Sequence, residues 1–302
     1  MAEKDTTEKI LEAHNDVFSD IMNVYLYEGK RLIKEDELEA ASVTTGYVFD
    51  DALRAQERDV CKHWKKENVQ LALLGIENQS DIDRDMPLRI IGYDGAAYRG
   101  QLKVDKNQDG SFHRNHRSRY PVVSVVIYYG QNRWNRPLKL KDVLRVPEGL
   151  ENFVSDYKIN VMDLRRLRRE TVDQFQSDFW FVADYFWQVE HTRDYKPSLN
   201  VISHIEEVLN LFRYALRDDR FRIENIVDEG EEVPRNMCEV LDKVENRGIE
   251  KGKIEGNAQT LVRLVENCAR FSSCTVEAAC KMLGCSVQEY NDAKNMIENI
   301  SG

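Results

Sequence analysis

The chain of 302 residues is poor in the features that build disulfide frameworks, disordered chains and membrane spans. Its six cysteines include no CxxC pair, which argues against a disulfide framework and a zinc ribbon. Six prolines, 42% hydrophobic residues and 32% charged residues are not the composition of a disordered chain. No apolar run approaches the roughly 18 residues that span a bilayer, and residues 1–20 contain no signal-peptide stretch. We therefore expect a folded, cytoplasmic protein with no membrane partner.

The formal net charge of −10 is an average over unlike segments. Residues 1–60 carry fifteen acidic and seven basic side chains, and residues 219–302 carry sixteen acidic and eleven basic ones. Residues 100–145, in contrast, carry ten basic and three acidic side chains. The overall sign argues against a surface that is basic throughout, but the central segment leaves room for one local basic groove.

Hydrophobic periodicity predicts an α/β chain that becomes helical towards its C-terminus. Spacings of three and four predict a helix over Thr6–Tyr27, and the short apolar run Val69–Ile76 predicts a buried strand. A helix is predicted over residues 83–103, followed by strands over 122–129 and 154–164. Beyond residue 168 the predicted elements are all helices, over residues 172–187, 197–216, 237–271, 275–283 and 286–300.

These elements predict three regions. Residues 1–165 form an α/β core, residues 166–235 a helical extension, and residues 236–302 a long helix with a small helical hairpin. The long helix contains three glycines four residues apart, Gly248, Gly252 and Gly256, each of which costs about 1 kcal/mol relative to alanine. They indicate either a weak, frayed tether or a face along which another helix, such as one from a second copy, packs closely.

Two carboxylates flank the predicted strand at 69–76. Asp59, in a predicted strand of its own, precedes Glu77 by eighteen residues, and Gln79 follows Glu77 on the same strand face. If the two strands are adjacent and antiparallel, Asp59 meets Glu77 across the ladder. Two carboxylates and the backbone carbonyl of Asn78 suit a hard octahedral cation, Mg²⁺ or Mn²⁺ in its place. Such a cation activates water and neutralises phosphate charge, whereas Gln79 could only orient the water or the phosphate.

Taken alone, this spacing favours solvated surface carboxylates over a metal site. The residues after it, however, resemble the Rpn family of recombination-promoting nucleases and transposases, within the PD-(D/E)XK nuclease superfamily. In that family a strand aspartate precedes an E-x-Q-S segment, and a helix with a methionine, an arginine and a tyrosine follows. The matching positions here are Asp59, the segment from Glu77 to Ser80, Met86, Arg89 and Tyr93.

A second, less specific part of the resemblance lies near the N-terminus. His14, Asn15 and Asp16, followed by Phe18, are similar to the family's N-terminal signature. The resemblance implies that Asp16 is the catalytic acid contributed by the first helix, and that Tyr93 supports the site.

The resemblance implies a PD-(D/E)XK core, a small mixed sheet flanked by helices, that hydrolyses DNA with Mg²⁺-activated water. Gln79 departs from the lysine of the usual superfamily E-x-K pattern, although members of this family share the glutamine. The alternative is a catalytically weak or inactive nuclease-fold protein that binds nucleic acid or a protein through its helical tail.

The basic central segment predicts where DNA would lie, since Lys and Arg neutralise phosphates and interleaved aromatic side chains stack on bases. A solvated loop is the alternative. The predicted DNA-contacting residues are Arg89, Arg114, Arg117, Arg119, Arg133 and Arg136.

The segment 275–290 has the pattern of helix, turn and helix, with a predicted capping box from Ser286 to Glu289. Its second helix is too acidic for a recognition helix, which favours a packing unit or a homo-oligomer contact over DNA readout.

Overall fold

The computed structural model describes residues 11–49, 52–67, 69–102, 104–106, 112–114, 119–228 and 230–301. Of these, the side chains of 44–49, 52–57, 104–106, 112–114 and 299–301 lie outside the described part. Arg117 and the side chain of Arg114 therefore lie outside the described residues, as do residues 6–10 of the first predicted helix.

A mixed five-stranded sheet organises the chain, with strand order β1-β4-β5-β8-β9. The central strand β5 pairs antiparallel with β4 and parallel with β8, while β1 is antiparallel to β4 and β9 parallel to β8. Two hairpins, β2-β3 and β6-β7, lie outside this sheet. The strands are β1 Leu38–Ala40, β2 Thr44–Phe49, β3 Ala52–Glu57, β4 Val60–Lys66, β5 Val69–Gln79, β6 Val104–Lys106, β7 Phe112–Arg114, β8 Val122–Tyr128 and β9 Asn160–Asp163.

The α-helices of the described residues are α1 Asn15–Tyr27, α2 Met86–Gly100, α3 Arg169–Val172, α4 Phe179–His191, α5 Ile205–Leu216, α6 Met237–Phe271, α7 Val276–Leu283 and α8 Val287–Ser301. Short 3-10 turns occur at Glu35–Glu37, Leu140–Asp142, Leu164–Arg166, Asp219–Phe221 and Ile223–Asn225. None of the described helices is both long enough and apolar enough to cross a membrane.

Helices cover both faces of the sheet, and side chains alternate between them along each strand. Helix α2 packs on one face, where its Ile90 and Tyr93 contact Val126 of β8. Helices α1 and α4 lie on the other face, where Tyr129, next after β8, packs against Phe186 with ring centroids 5.7 Å apart. Because both faces are covered, β5 and β8 are apolar almost throughout, and a polar side chain at their ends is buried with them.

The chain divides into two compact units. The first comprises the described residues up to Asn225 together with Glu232–Met237, and it includes the sheet and helices α1 to α5. The second comprises Ile226–Glu231 and Cys238–Gly302. In the second unit, α6, α7 and α8 share a small core of Val265, Ala279, Cys280 and Tyr290.

The predicted strands and helices are largely confirmed, with shifts at their ends. The strand predicted at 69–76 extends to Gln79, and the long helix predicted at 237–271 is α6. The predicted capping box is present, since the Ser286 N–H donates to Glu289 Oε2 at 2.7 Å. The strand predicted for 154–164 is shorter, at 160–163, and Asp59 lies in a bend just before β4 rather than within a strand.

Candidate active site

Glu77 is a carboxylate buried at the end of the central strand. Its residue is 3% exposed, and its side chain points to the face covered by α2. Oε1 accepts hydrogen bonds from the Arg89 guanidinium and, at 3.4 Å, from the Tyr93 hydroxyl. Oε2 is buried and has no hydrogen-bond partner among the residues that the structure describes.

Asp59 reaches the same strand end because of the register between β4 and β5. Val60 of β4 pairs with Ile76, so the preceding residue, Asp59, lies opposite Glu77 at the point where β4 begins. Asp59 Oδ2 accepts a hydrogen bond from the backbone N–H of Asn78 at 2.5 Å. The Asp59 carboxylate therefore accepts the Asn78 N–H, which a backbone carbonyl would accept if β4 continued by a further residue.

Glu12 is a third carboxylate at this place, and the sequence analysis did not select it. It precedes α1 in a turn and is fully buried. The Tyr129 hydroxyl lies 3.0 Å from Glu12 Oε1 and 3.0 Å from Asn78 Oδ1, so it links Glu12 to β5. Glu12 Oε2, like Glu77 Oε2, is buried without a hydrogen-bond partner in the described part of the chain.

Burial and the negative charge of Asp59 disfavour the ionised forms of Glu12 and Glu77. Burial, and then the negative charge of Asp59, raises the pKa of Glu77 to about 8, although the Arg89 charge opposes the shift. Burial also raises the pKa of Glu12 to about 8, with a further contribution from Asp59 against the hydrogen bond from Tyr129. Because Asp59 raises the pKa of both glutamates, it lies within electrostatic reach of each.

The carboxylates Glu12, Asp59 and Glu77 outnumber the positive charge beside them, because Arg89 pairs with Glu77 and also with Asp83. The Tyr129 hydroxyl has one proton, so it cannot donate to both Glu12 Oε1 and Asn78 Oδ1. The second contact takes its proton either from Glu12 or from the Asn78 amide, whose Nδ2 has no other partner in the described residues. A hard cation beside Glu77 and Asp59 would give Glu77 Oε2 a partner and offset the negative charge that Asp59 adds near both glutamates. The residues present therefore fit a Mg²⁺-type ion by the chemistry of their donors.

The described part of the chain also contains one group of three metal-type side chains whose ligand atoms all lie within 4.8 Å of one another. That group is His14, His204 and Glu207, not the three carboxylates. The oxygen atoms of Glu12, Asp59 and Glu77 therefore do not all lie within 4.8 Å of one another in the described structure.

The backbone N–H and C=O groups of Asn78 and Gln79 point to opposite sides of β5. The carbonyl of Gln79 accepts from the N–H of Tyr129 at 2.9 Å, on the β8 side. Backbone groups of successive strand residues alternate in direction, so the Asn78 carbonyl faces the β4 side, where its N–H already meets Asp59. The carbonyl predicted as a metal ligand is therefore directed to the Asp59 side of β5. The Gln79 side chain is half-buried and shares the strand face of Glu77.

Arg89 and Tyr93 hold Glu77 from helix α2. They lie four residues apart and so project from one helix face. Arg89 Nη1 also pairs with Asp83 Oδ2 at 3.0 Å, which fixes the guanidinium between two carboxylates. About a third of the Arg89 side chain (36%) remains exposed, so the same guanidinium is open to a ligand from solvent.

A buried polar network supports the strand end from the α2 side. Arg58 pairs with Asp94 at 2.6 Å, and Asp94 also accepts from Ser124 Oγ at 2.6 Å. Gly75 leaves space for the Arg58 guanidinium, because a Cβ at position 75 would lie 2.8 Å from Arg58 Nη1. Arg58, Asp94 and Ser124 gave no motif in the sequence, because hydrogen-bonded members of this network lie 30 and 36 positions apart.

Asp16, the expected acid of the first helix, lies in a different place. Its Oδ2 is 3.3 Å from His204 Nε2, and its side chain is 41% exposed. It lines a cavity of about 800 Å³ together with Asp20 and Arg31. The signal that could have identified Glu12 instead is a lone acid beside Leu11 in the apolar pattern of the first helix.

The arginines predicted to contact DNA are distributed over both ends of β8. Arg133 and Arg136 lie in the loop after β8, at the strand end that carries Glu77. Arg119 precedes β8, roughly 20 Å away along the strand direction at about 3.3 Å per residue, and donates to the Gln101 carbonyl at 2.5 Å. Arg89 thus contacts Glu77, Arg133 and Arg136 follow β8 at the same end of the sheet, and Arg119 lies at the opposite end of β8.

A comparison with protein families matches most of the first unit. The family described as "Putative transposase, YhgA-like" matches residues 8–214, which include Glu12, Asp59 and Glu77. No curated protein and no solved structure matches the chain. The matched segment covers more than half of the chain and indicates a transposase-like function. The chain therefore belongs to the family of YhgA-like putative transposases.

Proposed function

We propose that this protein is a Mg²⁺-dependent DNA endonuclease with a PD-(D/E)XK core of the Rpn type. The observation that carries the proposal is the cluster of Glu12, Asp59 and Glu77 at the end of β5, with two buried carboxylate oxygens that have no hydrogen-bond partner within the described ranges. A dication there would neutralise a cluster that otherwise has to hold protons at neutral pH.

Asp59, Glu77 and the Asn78 carbonyl would hold the metal ion, and Glu12 would act as a further carboxylate ligand. Mg²⁺ supplies Lewis acidity and lowers the pKa of a bound water. Tyr93 and Arg89 keep Glu77 in place through hydrogen bonds to Oε1, which leaves Oε2 for the ion. Gln79, on the same strand face as Glu77, would hydrogen-bond a water or a phosphate oxygen, since an amide neither takes up nor releases a proton at neutral pH.

DNA would approach the carboxyl ends of β5 and β8. Arg89 is partly exposed beside Glu77, and Arg133 and Arg136 follow β8 at the same end. A cavity of about 390 Å³ opens there, lined by Ser80 after β5, by Gln131 after β8 and by Arg165. Arginines at such an edge would neutralise backbone phosphates, and the acidic remainder of the chain would confine DNA to this groove.

Plasmid cleavage tests the proposal. Purified protein with Mg²⁺ or Mn²⁺ should nick or linearise supercoiled plasmid, and Asp59→Ala and Glu77→Ala should each abolish the activity. Glu39→Gln is the matched control, because Glu39 is an exposed acid on β1 of the same sheet. Undiminished cleavage by both active-site variants would refute the assignment.

A second candidate function is nucleic-acid or protein binding without cleavage. It is favoured by the neutral Gln79 and by the ion pair of Arg89 with Glu77, which already neutralises one carboxylate. A metal titration separates the two functions. A Mg²⁺-induced thermal shift that is lost in Asp59→Asn supports the enzyme, whereas salt-sensitive DNA binding that is indifferent to metal supports the binding protein.

A further inference from the structure

Two histidines from distant parts of the chain stack on each other within the first unit. His14 immediately precedes α1, and His204 immediately precedes α5. Their ring centroids lie 3.8 Å apart, with 21° between the ring planes. The fold thus joins the beginnings of two helices that are 190 positions apart in sequence through a pair of imidazoles.

Each imidazole has a carboxylate oxygen at its Nε2 atom. Glu207 Oε1, from the first turn of α5, lies 3.5 Å from His14 Nε2. Asp16 Oδ2, from the first turn of α1, lies 3.3 Å from His204 Nε2. One ligand atom each from His14, His204 and Glu207 lies within 4.8 Å of the other two.

The two histidines occupy N-cap positions but do not act as caps. Neither side chain accepts a capping hydrogen bond from its own helix in the described structure. The backbone N–H of His204 donates to Asp178 Oδ2 at 2.6 Å, which fixes the residue and leaves its ring to the cluster. The three ligand side chains are between 23% and 35% exposed, so an ion from solvent can reach them.

We propose that His14, His204 and Glu207 bind one divalent transition-metal cation, with Zn²⁺ as the fitting ion and Asp16 as the nearest further carboxylate. Two imidazoles and a carboxylate are a ligand set typical of zinc, and a fourth ligand completes a tetrahedron. The charges of Glu207 and Asp16 together balance a dication. Imidazole nitrogen favours Zn²⁺ over Mg²⁺, so this site differs in chemistry from the carboxylates at the end of β5.

Such an ion would fasten the beginning of α1 to the beginning of α5. His14 and His204 are the N-cap residues of the two helices, and Asp16 and Glu207 lie in the first turns that follow. The helical backbone therefore holds all four residues in position. Binding to the folded state alone raises stability with free metal concentration, so the site predicts a zinc-dependent thermal shift.

The test uses the full chain carrying Asp59→Asn and Glu77→Gln, so that cations at the carboxylate site do not contribute. After chelation with EDTA and its removal, Zn²⁺ is titrated while heat and melting temperature are followed. We expect one equivalent of Zn²⁺ to bind, with a rise in melting temperature that millimolar Mg²⁺ does not reproduce.

Three added substitutions locate the ion. His14→Asn and His204→Asn retain a residue that suits an N-cap, so both variants should fold without metal, as their melting temperatures in EDTA will show. Each should bind Zn²⁺ at least tenfold more weakly. His191→Asn is the control, since His191 stacks on Trp187 in α4, outside the cluster, and should bind as the parent does. Absence of a zinc-induced shift in the parent, or equal binding by the parent and both N-cap variants, would overturn the proposal.

Discussion

Asp59 Oδ2 accepts a hydrogen bond from the backbone N–H of Asn78 at 2.5 Å, and this contact holds the Asp59 carboxylate opposite Glu77. Asparagine can accept the same hydrogen bond without the charge. Asp59→Asn should therefore preserve the fold while lowering Mg²⁺-dependent cleavage roughly 100-fold or more, the order found when one preorganised group of a catalytic site is removed. Plasmid cleavage rates and melting temperature in EDTA measure the two effects. A variant that melts as wild type and still cleaves at the wild-type rate would exclude Asp59 from the chemistry.

The raised pKa of Glu12 predicts how stability depends on pH in metal-free protein. Its pKa is about 8 in the folded state against 4.5 for an ordinary glutamate, so the folded state binds more protons between these values. The free energy of unfolding should therefore fall as pH rises from about 4.5 to about 8, by at most about 1.4 kcal/mol per pH unit for this carboxyl.

Glu12→Gln cannot ionise and should flatten that fall, so that the variant is more stable than wild type at pH 8 in EDTA. Urea unfolding at several pH values measures this difference, with Glu39→Gln as the exposed control. Parallel curves for wild type and Glu12→Gln would show that Glu12 does not carry the proton.

Glu12 and Asp16 can be separated by their effect on metal affinity. Glu12 is fully buried and within electrostatic reach of Asp59, whereas Asp16 faces His204. Glu12→Gln should weaken Mn²⁺ binding at the carboxylate site by roughly 10- to 100-fold, the order found for supporting groups of metal sites. Asp16→Asn should weaken it less. Calorimetric Mn²⁺ titration of both variants measures the two losses of affinity. A larger loss in Asp16→Asn than in Glu12→Gln would instead assign Asp16, as the sequence predicted, to the metal site.

Alanine substitutions at Gly75 and at Gly95 should change the free energy of unfolding in opposite directions. At Gly75 a Cβ would lie 2.8 Å from Arg58 Nη1 and 3.3 Å from Ser124 Oγ, within the buried network around Asp94. Gly75→Ala should lower the free energy of unfolding by about 1–3 kcal/mol, the usual cost of overpacking. At Gly95, in α2, a Cβ meets no described atom within 4 Å apart from its own helix backbone and chain neighbours, so Gly95→Ala should add up to about 1 kcal/mol to the free energy of unfolding. Chemical denaturation compares the two, and equal effects would contradict the steric argument.

The three glycines of α6 offer a test of the C-terminal unit. A Cβ at Gly248, Gly252 or Gly256 meets nothing within 4 Å in the described structure. Replacing all three with alanine should therefore raise the stability of the helix, by about 1 kcal/mol per position. Circular dichroism during thermal unfolding measures this, and light scattering gives the mass. A fall in mass from oligomer to monomer would instead assign the glycine face to a contact between copies.

Much of the architecture follows from local patterns in the sequence. The run at 69–76 is apolar on both strand faces, which indicated a strand covered on both sides, and β5 is the central strand. The E-x-Q spacing placed Glu77 and Gln79 on one strand face, and the antiparallel register brought Asp59 opposite Glu77. These relationships depend on strand geometry, which is local and regular.

Contacts between segments that are far apart in sequence could not be predicted in this way. Glu12 joins Asn78 through Tyr129 across separations of 117 and 51 residues, and His14 meets His204 across 190. Glu12 and Asp16 are four positions apart within the predicted helix over 6–27, so the pattern alone did not distinguish which of them faces the sheet. In the structure Glu12 lies in the turn before α1.

The sequence by itself determined the buried strands β5 and β8, the main helices, the strand-end position of Glu77 and the uneven distribution of charge, because these follow from hydrophobic periodicity and composition. It did not predict β1 or the hairpins β2-β3 and β6-β7. Only the tertiary structure decided that Glu12, in the turn before α1, comes within electrostatic reach of Asp59, which arginines lie at the same strand end, and that two histidines meet. The reason is physical: side-chain burial and the approach of distant segments depend on how helices pack on the two faces of the sheet, and neighbouring residues do not specify this packing.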